Sequence, residues 1–266
     1  MSITWLDVVD STNDEAKRQI LSLNHLSVIS AVHQTAGRGQ RGNTWSSESG
    51  MNLTFSIVIK YGPEGYGYLA AVDQFTISKI ASLAVIEFLK TYSIDAKIKW
   101  PNDIYVNDKK IAGILIEHAM QGERIVYSII GIGLNANQIS FDSNLFNPTS
   151  IRLEHPNLNC LNLHLALEGF IKIFKDITEH QTLFEVDRLY HSNLWRLDTE
   201  CTFVDFTNLP KGHHEGPILP LSGEIPSPIA FSGIIRGVSR MGELIVKDLH
   251  SSKIHKYNFK EIGYII

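Results

Sequence analysis

Apolar and polar positions alternate most regularly between Leu53 and Ile59, where Leu53, Phe55, Ile57 and Ile59 fall on one side of an extended chain. A period of two predicts a strand with one apolar face. From Ile77 the period changes. Ile77, Ile80, Ala81, Ala84, Val85 and Phe88 recur at intervals of three and four, the stripe of an amphipathic helix ending near Tyr92. Leu163, Leu167, Phe170, Phe174 and Ile177 trace a second long helix, with a further helical stretch up to Trp195. Leu26 to His33, rich in Val, Ile and Ala, reads as a buried strand. Before it, Ser11-Thr12-Asn13-Asp14-Glu15 has the form of a helix entrance, a hydroxyl or amide to cap and two acids in the first turn. That helix is expected to run to about Leu23. Between the two long helices the pattern gives a short strand at Lys97 to Trp100 and a hairpin turning near Asn107-Asp108. Strands from Ile111 to His118 and from Arg124 to Gly133 follow. The order is mixed, not a repeating βαβ.

Past Leu197 the texture becomes short β-rich pieces, Cys201 to Phe206, Ile229 to Val238, Glu243 to Leu249 and Ile254 to Phe259, separated by turn residues. Two domains are therefore expected, residues 1–197 and a small β domain at 198–266. Asn208 to Pro228 holds five of the nine prolines and the pair His213-His214, and reads as a long irregular loop. Two adjacent imidazoles without carboxylates or cysteines make a poor metal site, so no metal site is expected. No internal repeat is visible.

Composition narrows the partners. The 266 residues are 44% hydrophobic and 20% charged, values of a chain that folds. With 24 Lys and Arg against 28 Asp and Glu, the formal charge is -4, so no overall basic field draws the chain to nucleic acid. Any anion site must be local. Cys160 and Cys201 are far apart, without a CxxC or a nearby histidine at ligand spacing, and read as buried thiols. The start of the chain has no apolar signal region and no run spans a bilayer, which makes the cytoplasm the default.

Three segments carry chemistry. Gly37-Arg-Gly-Gln-Arg-Gly42 fits G-x-G-x-x-G, but the turn-like Asn43 to Gly50 follows where a dinucleotide-binding turn should open a helix. Nor does Lys-Ser or Lys-Thr follow a glycine, as a P-loop requires. What is left is a loop with exposed amides, Arg38 and Arg41, able to wrap a phosphate or carboxylate. Lys99-Trp-Pro-Asn-Asp103 sets a cation, an aromatic, a turn, an amide and a carboxylate together at a strand end, and a hairpin would return Lys110 to face Asp103. Gly113, inside a strand, marks close approach of a ligand or another backbone, and Gly131-Ile-Gly-Leu-Asn135 repeats the idea.

Taken together, Ser11-Thr12-Asn13, Gln34 with Gly37-Arg38-Gly39, Lys99-Trp-Pro-Asn-Asp103, Lys110-Ile-Ala-Gly113 and Gly131-Ile-Gly-Leu-Asn135, in this order, resemble the biotin protein ligases. The resemblance is strong over about residues 5 to 140 and weak beyond. It implies an α+β fold, a mixed β-sheet with flanking helices of the class II aminoacyl-tRNA synthetase and biotin ligase kind, plus a small C-terminal SH3-like β-barrel. It also implies an enzyme with two steps. Biotin and ATP with Mg2+ give biotinyl-5'-AMP and pyrophosphate, and a lysine of a biotin carboxyl carrier protein then attacks the activated carboxyl.

By the same resemblance Lys110, Arg38 and Asp103 are catalytic. Lys110 bridges the biotin carboxylate and the α-phosphate, where cations become more useful as charge develops, and Arg38 assists. Asp103 handles the incoming lysine by attraction and orientation, since a carboxylate is far too weak a base to take its proton outright. Biotin contacts are expected from Ser11, Thr12, Asn13, Gln34, Arg38, Gly39, Gln40, Lys110 and Gly113. ATP contacts are expected from Arg38, Gly39, Gln40, Arg41, Gly42, Trp45, Asn102, Lys110 and Asn135. A loop hinged at Gly37, Gly39 and Gly42 would close over the adenylate and exclude water.

Two positions depart from the family pattern, Gln40 where a second arginine is frequent and Asn43 where another basic residue is common, so the loop is less positive, and either adenylate retention is weaker or Arg41 compensates. Ten residues precede Ser11, so the helix-turn-helix of repressor members is not expected, nor is DNA as a partner. Neither is a membrane partner expected, and a homodimer through a sheet edge is compatible with the sequence. The rival readings are a lipoate or octanoate ligase or transferase of the same fold, which should lack this Gly-Arg-Gly loop and Lys-Trp-Pro-Asn-Asp block, and a non-catalytic biotin or nucleotide sensor, which would not need Lys110.

Overall fold

Strand-forming segments at the start of the chain pair first with each other. In the computed structural model, which describes residues 2–63, 65–207 and 229–265 with the Arg41 side chain set aside, β1 (Ile3–Val9) lies parallel to β2 (Val28–Gln34). Between them α1 (Thr12–Arg18) is capped by Ser11, whose side chain accepts from the Asp14 amide. After it come β3 (Leu53–Lys60), α2 (Phe75–Lys90), β4 (Lys97–Lys99), β5 (Asp103–Val106), β6 (Lys109–Gln121) and β7 (Arg124–Leu134). The helices α3 (Ile151–Glu154), α4 (Leu163–His180) and α5 (Leu183–Ser192) follow. The strands form one seven-stranded sheet in the order β1-β2-β3-β7-β6-β5-β4, antiparallel everywhere except at β1 and β2. This is the mixed sheet with flanking helices expected from the sequence.

The two faces of that sheet have different jobs. Alternation in β3 turns Phe55 toward α4, where its ring meets Phe170 at 5.0 Å, and Phe170 meets Phe88 of α2 at 5.6 Å. Burying such rings is the largest apolar gain available to the fold. On the opposite face Ala16 of α1 packs with Leu23, Ile29, Val58 and Ile129. Leu53, Phe55, Ile57 and Ile59 form the buried apolar face expected, and the opposite face, with Thr54 and Ser56, is buried as well. Its polar positions point into a covered site instead of toward water.

Three smaller expectations also change. The first helix stops at Arg18 instead of reaching Leu23, because the Gln19 carbonyl accepts from Ser22 and Leu23 amides in a turn that leaves Leu21 exposed and brings Leu23 into the core. The strand β1 has no alternation to announce it; its residues are half-buried or exposed at the sheet edge. Cys160 is exposed, within 3.2 Å of the Arg152 guanidinium, while Cys201 is buried as expected.

Two compact units divide the described chain, Met1–Tyr190 and His191–Ile266. The second carries β8 (Glu200–Asp205), β9 (Ile229–Val238), β10 (Leu244–Asp248), β11 (Ile254–Tyr257) and β12 (Ile262–Tyr264) in one antiparallel sheet ordered β11-β10-β9-β8-β12. Phe203 packs against Phe231 at 5.6 Å and Tyr264 at 5.4 Å within it. The Asn208 to Pro228 loop with His213 and His214 lies outside the described residues.

Candidate active site

Cross-strand pairing lays the site out in rows. Asp103, Gly113, Gly133 and Thr54 are successive partners across β5, β6, β7 and β3. Leu115, Gly131 and Ser56 form the next row, and Glu117, Ile129 and Val58 the one after. Paired residues share a face, so each glycine removes a side chain from the middle of a row that elsewhere carries one. The gaps are filled by visitors. A β-carbon on Gly131 would overlap the Asn13 amide, one on Gly133 would overlap the Trp45 indole, and one on Gly113 would stand 3.1 Å from the same indole. The glycines expected to mark close approach do so, with Asn13 and Trp45 as the approaching groups.

The hairpin of β5 and β6 turns at Asn107, whose φ is 53°, and it brings the predicted cation and carboxylate together. Lys110 Nζ lies 2.7 Å from Asp103 Oδ1, with both side chains half-buried. The Lys110 ammonium also stands 5.7 Å from the centre of the Trp45 ring. Its backbone is fixed on both sides, the amide donating to Asn147 O at 2.7 Å and the carbonyl accepting from the Thr149 amide at 2.8 Å.

On the other flank α1 delivers Ser11, Thr12 and Asn13, all buried. Gln34 Oε1 accepts from the Thr12 amide at 2.8 Å and its hydroxyl at 3.1 Å. The Ser56 hydroxyl bonds Thr12 Oγ1 at 2.8 Å and Asn13 Oδ1 at 2.7 Å. With its oxygen committed to Thr12, the Gln34 side chain keeps its amide hydrogens for another acceptor.

The glycine loop folds back on itself. Trp45 N donates to Gly37 O at 2.9 Å, Gly39 N to Asn43 O at 2.7 Å and Asn43 N to Gln40 O at 3.2 Å, with Arg38 bridged to Thr44. Of the amides expected to be exposed between Gly37 and Gly42, that of Gly39 is therefore paired within the loop, while Gly37 and Gln40 contribute carbonyls as acceptors. Residues 40–42 form a single 3-10 turn, and Gly42 takes φ 90°, a backbone state that favours glycine. Beneath the loop lies a cavity of about 480 Å³ lined by Gly37, Arg38, Thr44, Leu115 and Glu117 among others. Arg38 does not point into open space. Its guanidinium holds Asp14 Oδ1 at 2.7 Å and Glu117 Oε1 at 2.6 Å.

Trp45 Nε1 is buried with no hydrogen-bond partner among the described residues, a cost of about 1–3 kcal/mol that an acceptor on a ligand would remove. Asn102 and Asn135, expected at the nucleotide, have their amide groups on backbone carbonyls, Ile114 O at 2.9 Å and Thr149 O at 2.8 Å. Lys99 turns away to the Tyr105 hydroxyl at 3.1 Å and its ring at 4.6 Å.

Three site groups escaped the sequence reading: Ser56, Asp14 and Glu117. Ser56 could have been found from its polarity in the middle of an apolar strand. Burial, the largest influence on Glu117, works to raise its pKa. Hydrogen bonds from Arg38 and Asn13 and the Arg38 charge outweigh it, so the carboxyl is held below its ordinary value of 4.5. A depressed folded-state pKa adds stability that is full above the unfolded value and lost as pH falls through the folded one. The difference in urea midpoint between the wild type and Glu117→Gln should therefore narrow as pH drops below 4.5, and a difference that widens there would contradict the pairing.

Comparison with known proteins comes to the same place. Residues 5–135 match the model of the Biotin/lipoate A/B protein ligase family. The chain is 29% identical over 251 residues to the bifunctional ligase/repressor BirA of Escherichia coli, covering 92% of this chain and 69% of that one. It is 38% identical over 129 residues to the biotin--[acetyl-CoA-carboxylase] ligase of Paracoccus denitrificans, 47% of this chain and 51% of that one. The solved biotin protein ligase of Aquifex aeolicus in complex with biotin and ATP superposes with a TM-score of 0.70 over 99% of this chain and 98% of that one. At 22% identity this is a likeness of fold.

Proposed function

Residues 5–135 belong to the Biotin/lipoate A/B protein ligase family, and from that premise we propose that the chain activates biotin with ATP and transfers it to a lysine of a biotin carboxyl carrier protein. The observation that carries this reading is the Lys110–Asp103 pair, 2.7 Å apart, at the edge of the glycine floor on which Trp45 lies.

In the first step a biotin carboxylate oxygen attacks the α-phosphorus, the new C–O–P link forms and pyrophosphate leaves. Two anions must meet, so the barrier falls where a cation is already in place. Lys110 is that cation, and Arg38 is the second. Ser11, Thr12, Asn13 and Gln34 form the wall for the uncharged ring, with Gly39, Gln40 and Gly113 beside it. Trp45, its Nε1 unpaired among the described residues, supports the nucleotide together with Arg41, Gly42, Asn102 and Asn135. Mg2+ would come bound to the triphosphate and would neutralise part of its charge. Among the described residues no group of three or more His, Cys, Asp or Glu is placed to hold a metal, and Mg2+ commonly keeps phosphates and water as ligands.

In the second step the carrier lysine attacks the acyl carbon and AMP leaves. Once Lys110 turns to the bound anion, Asp103 loses its partner and becomes free to hold the incoming ammonium. The proton goes to solvent or to the departing phosphate as the amide forms. Catalysis is assigned to the larger domain, read as 1–197, and the small β domain at 198–266 is assigned no step. ATP as co-substrate favours the cytoplasm; among the described residues no helix is long and apolar enough to cross a membrane.

The test is incorporation of biotin into a carrier domain, followed by mass spectrometry. One biotin on one carrier lysine, dependent on ATP, is expected; no mass gain from folded protein would contradict the proposal. A finer expectation concerns Gln40. An arginine there should lengthen the half-life of bound adenylate about fivefold, the value of one exposed ion contact of ~1 kcal/mol. Equal half-lives for wild type and Gln40→Arg would remove the claim that this loop retains its intermediate weakly.

A further inference from the structure

On the reading that this site adenylates biotin, we propose that Glu117 is a positioning residue for biotin and a restraint against ATP, fixing the Asn13 amide with one carboxylate oxygen and holding Arg38 with the other. Glu117 lies on the same face of β6 as Gly113 and Leu115, two and one alternations away. Its neighbours in the row are Ile129 and Val58, so it is a charged group at the margin of an apolar floor.

Its two oxygens have separate work. Oε2 accepts from Asn13 Nδ2 at 2.9 Å. Oε1 takes Arg38 Nη2 at 2.6 Å. An ionised carboxylate only accepts, so it forces the nitrogen of the Asn13 amide toward itself and turns the oxygen to the Ser56 hydroxyl at 2.7 Å. A glutamine at 117 could donate as readily as accept, and the amide of Asn13 would lose its fixed sense. The wall is continuous when the Ser56 hydroxyl donates to Asn13 Oδ1, the Thr12 hydroxyl to the Ser56 oxygen and the Thr12 amide to Gln34 Oε1, so an error at Asn13 passes to Thr12 and Gln34.

Arg38 experiences the opposite effect. Its fork is shared between Asp14 and Glu117, so a phosphate must compete with a carboxylate for the same hydrogens. Glu117 therefore restrains Arg38 in the ligand-free protein and yields it when ATP arrives. The carboxylate favours biotin and opposes ATP.

Opposite signs are what a merely structural role would not produce. In steady-state biotin-dependent pyrophosphate exchange, Glu117→Gln should raise the KM for biotin about tenfold, the value of one hydrogen bond to a charged group, and lower the KM for ATP severalfold. Asp14→Asn, which touches Arg38 but not the Asn13 side chain, should lower the KM for ATP alone, and serves if Glu117→Gln folds poorly. In an Arg38→Ala background the effect of Glu117→Gln on ATP should vanish, because the two groups act through one contact. A rise in both KM values, no change in either, or an ATP effect that persists without Arg38 would overturn the proposal. Absence of exchange by the wild type would overturn the underlying reading, and the proposal with it, before any variant is compared.

Discussion

Replacing Lys110 by alanine is expected to lower formation of biotinyl-5'-AMP by on the order of 10²–10³-fold, the effect of deleting one preorganised group that stabilises developing charge. The loss should fall on kcat and kcat/KM together, since the ammonium matters most as negative charge grows between carboxylate and α-phosphate. The fold should survive. The Lys110 backbone is held by Asn147 and Thr149 irrespective of its side chain, and the ion pair with Asp103 is only half-buried, so its net stabilisation is small. Single-turnover measurement of adenylate with radiolabelled ATP, alongside a urea melt, separates the two. A Lys110→Ala variant that folds and forms adenylate at the wild-type rate would remove Lys110 from the chemistry.

The second large effect is expected at Gly131. An alanine there places a β-carbon against the Asn13 amide, and α1 sits directly on β7 at this point. Either Asn13 rotates away from Ser56 and Glu117, or the helix lifts and opens the cluster of Ala16, Ile29, Val58 and Ile129. Losing two hydrogen bonds, one of them to a charged group, corresponds to about 100-fold in biotin affinity, and overpacking costs a further ~1–3 kcal/mol of stability. Gly133→Ala provides the contrast. Its β-carbon meets Trp45, so its main effect should fall on ATP. Titration calorimetry with each substrate distinguishes the two variants, and equal biotin affinity for wild type and Gly131→Ala would contradict the role given to the row of Leu115, Gly131 and Ser56.

What could be read from the sequence was local. The helices α2 and α4 follow from apolar spacing, because a stripe at three and four has one helical solution. The Lys110–Asp103 pair follows from a hairpin, because seven residues with a turn near Asn107 bring the ends together. The strand β1 was not legible; it is an edge strand ordered by parallel pairing with β2, and its own pattern is irregular. Nor was the second buried face of β3, which depends on α1 folding over Ser56.

The same distinction divides the site. Ser11, Thr12, Asn13 and Gln34 were suggested by motif resemblance, and the structure brings Thr12, flanked by Ser11 and Asn13 in the chain, onto Gln34. The contacts of Arg38 with Asp14 and Glu117 join three segments far apart in the chain, and only the folded tertiary structure brings them into range. The internal bonds of the loop were likewise invisible, since Gly37 to Gly42 reads equally well as an open phosphate cradle. Gln40 and Asn43, the two positions read from the sequence as departures from the family pattern, meet in the structure, where the Gln40 carbonyl accepts from the Asn43 amide and closes the turn.

Pyrophosphate exchange into ATP, run on the wild-type chain first with biotin and then with lipoate, tests the central claim most directly. Exchange that depends on biotin and is absent with lipoate is the predicted result; exchange driven by lipoate alone, or none from folded protein, would contradict it.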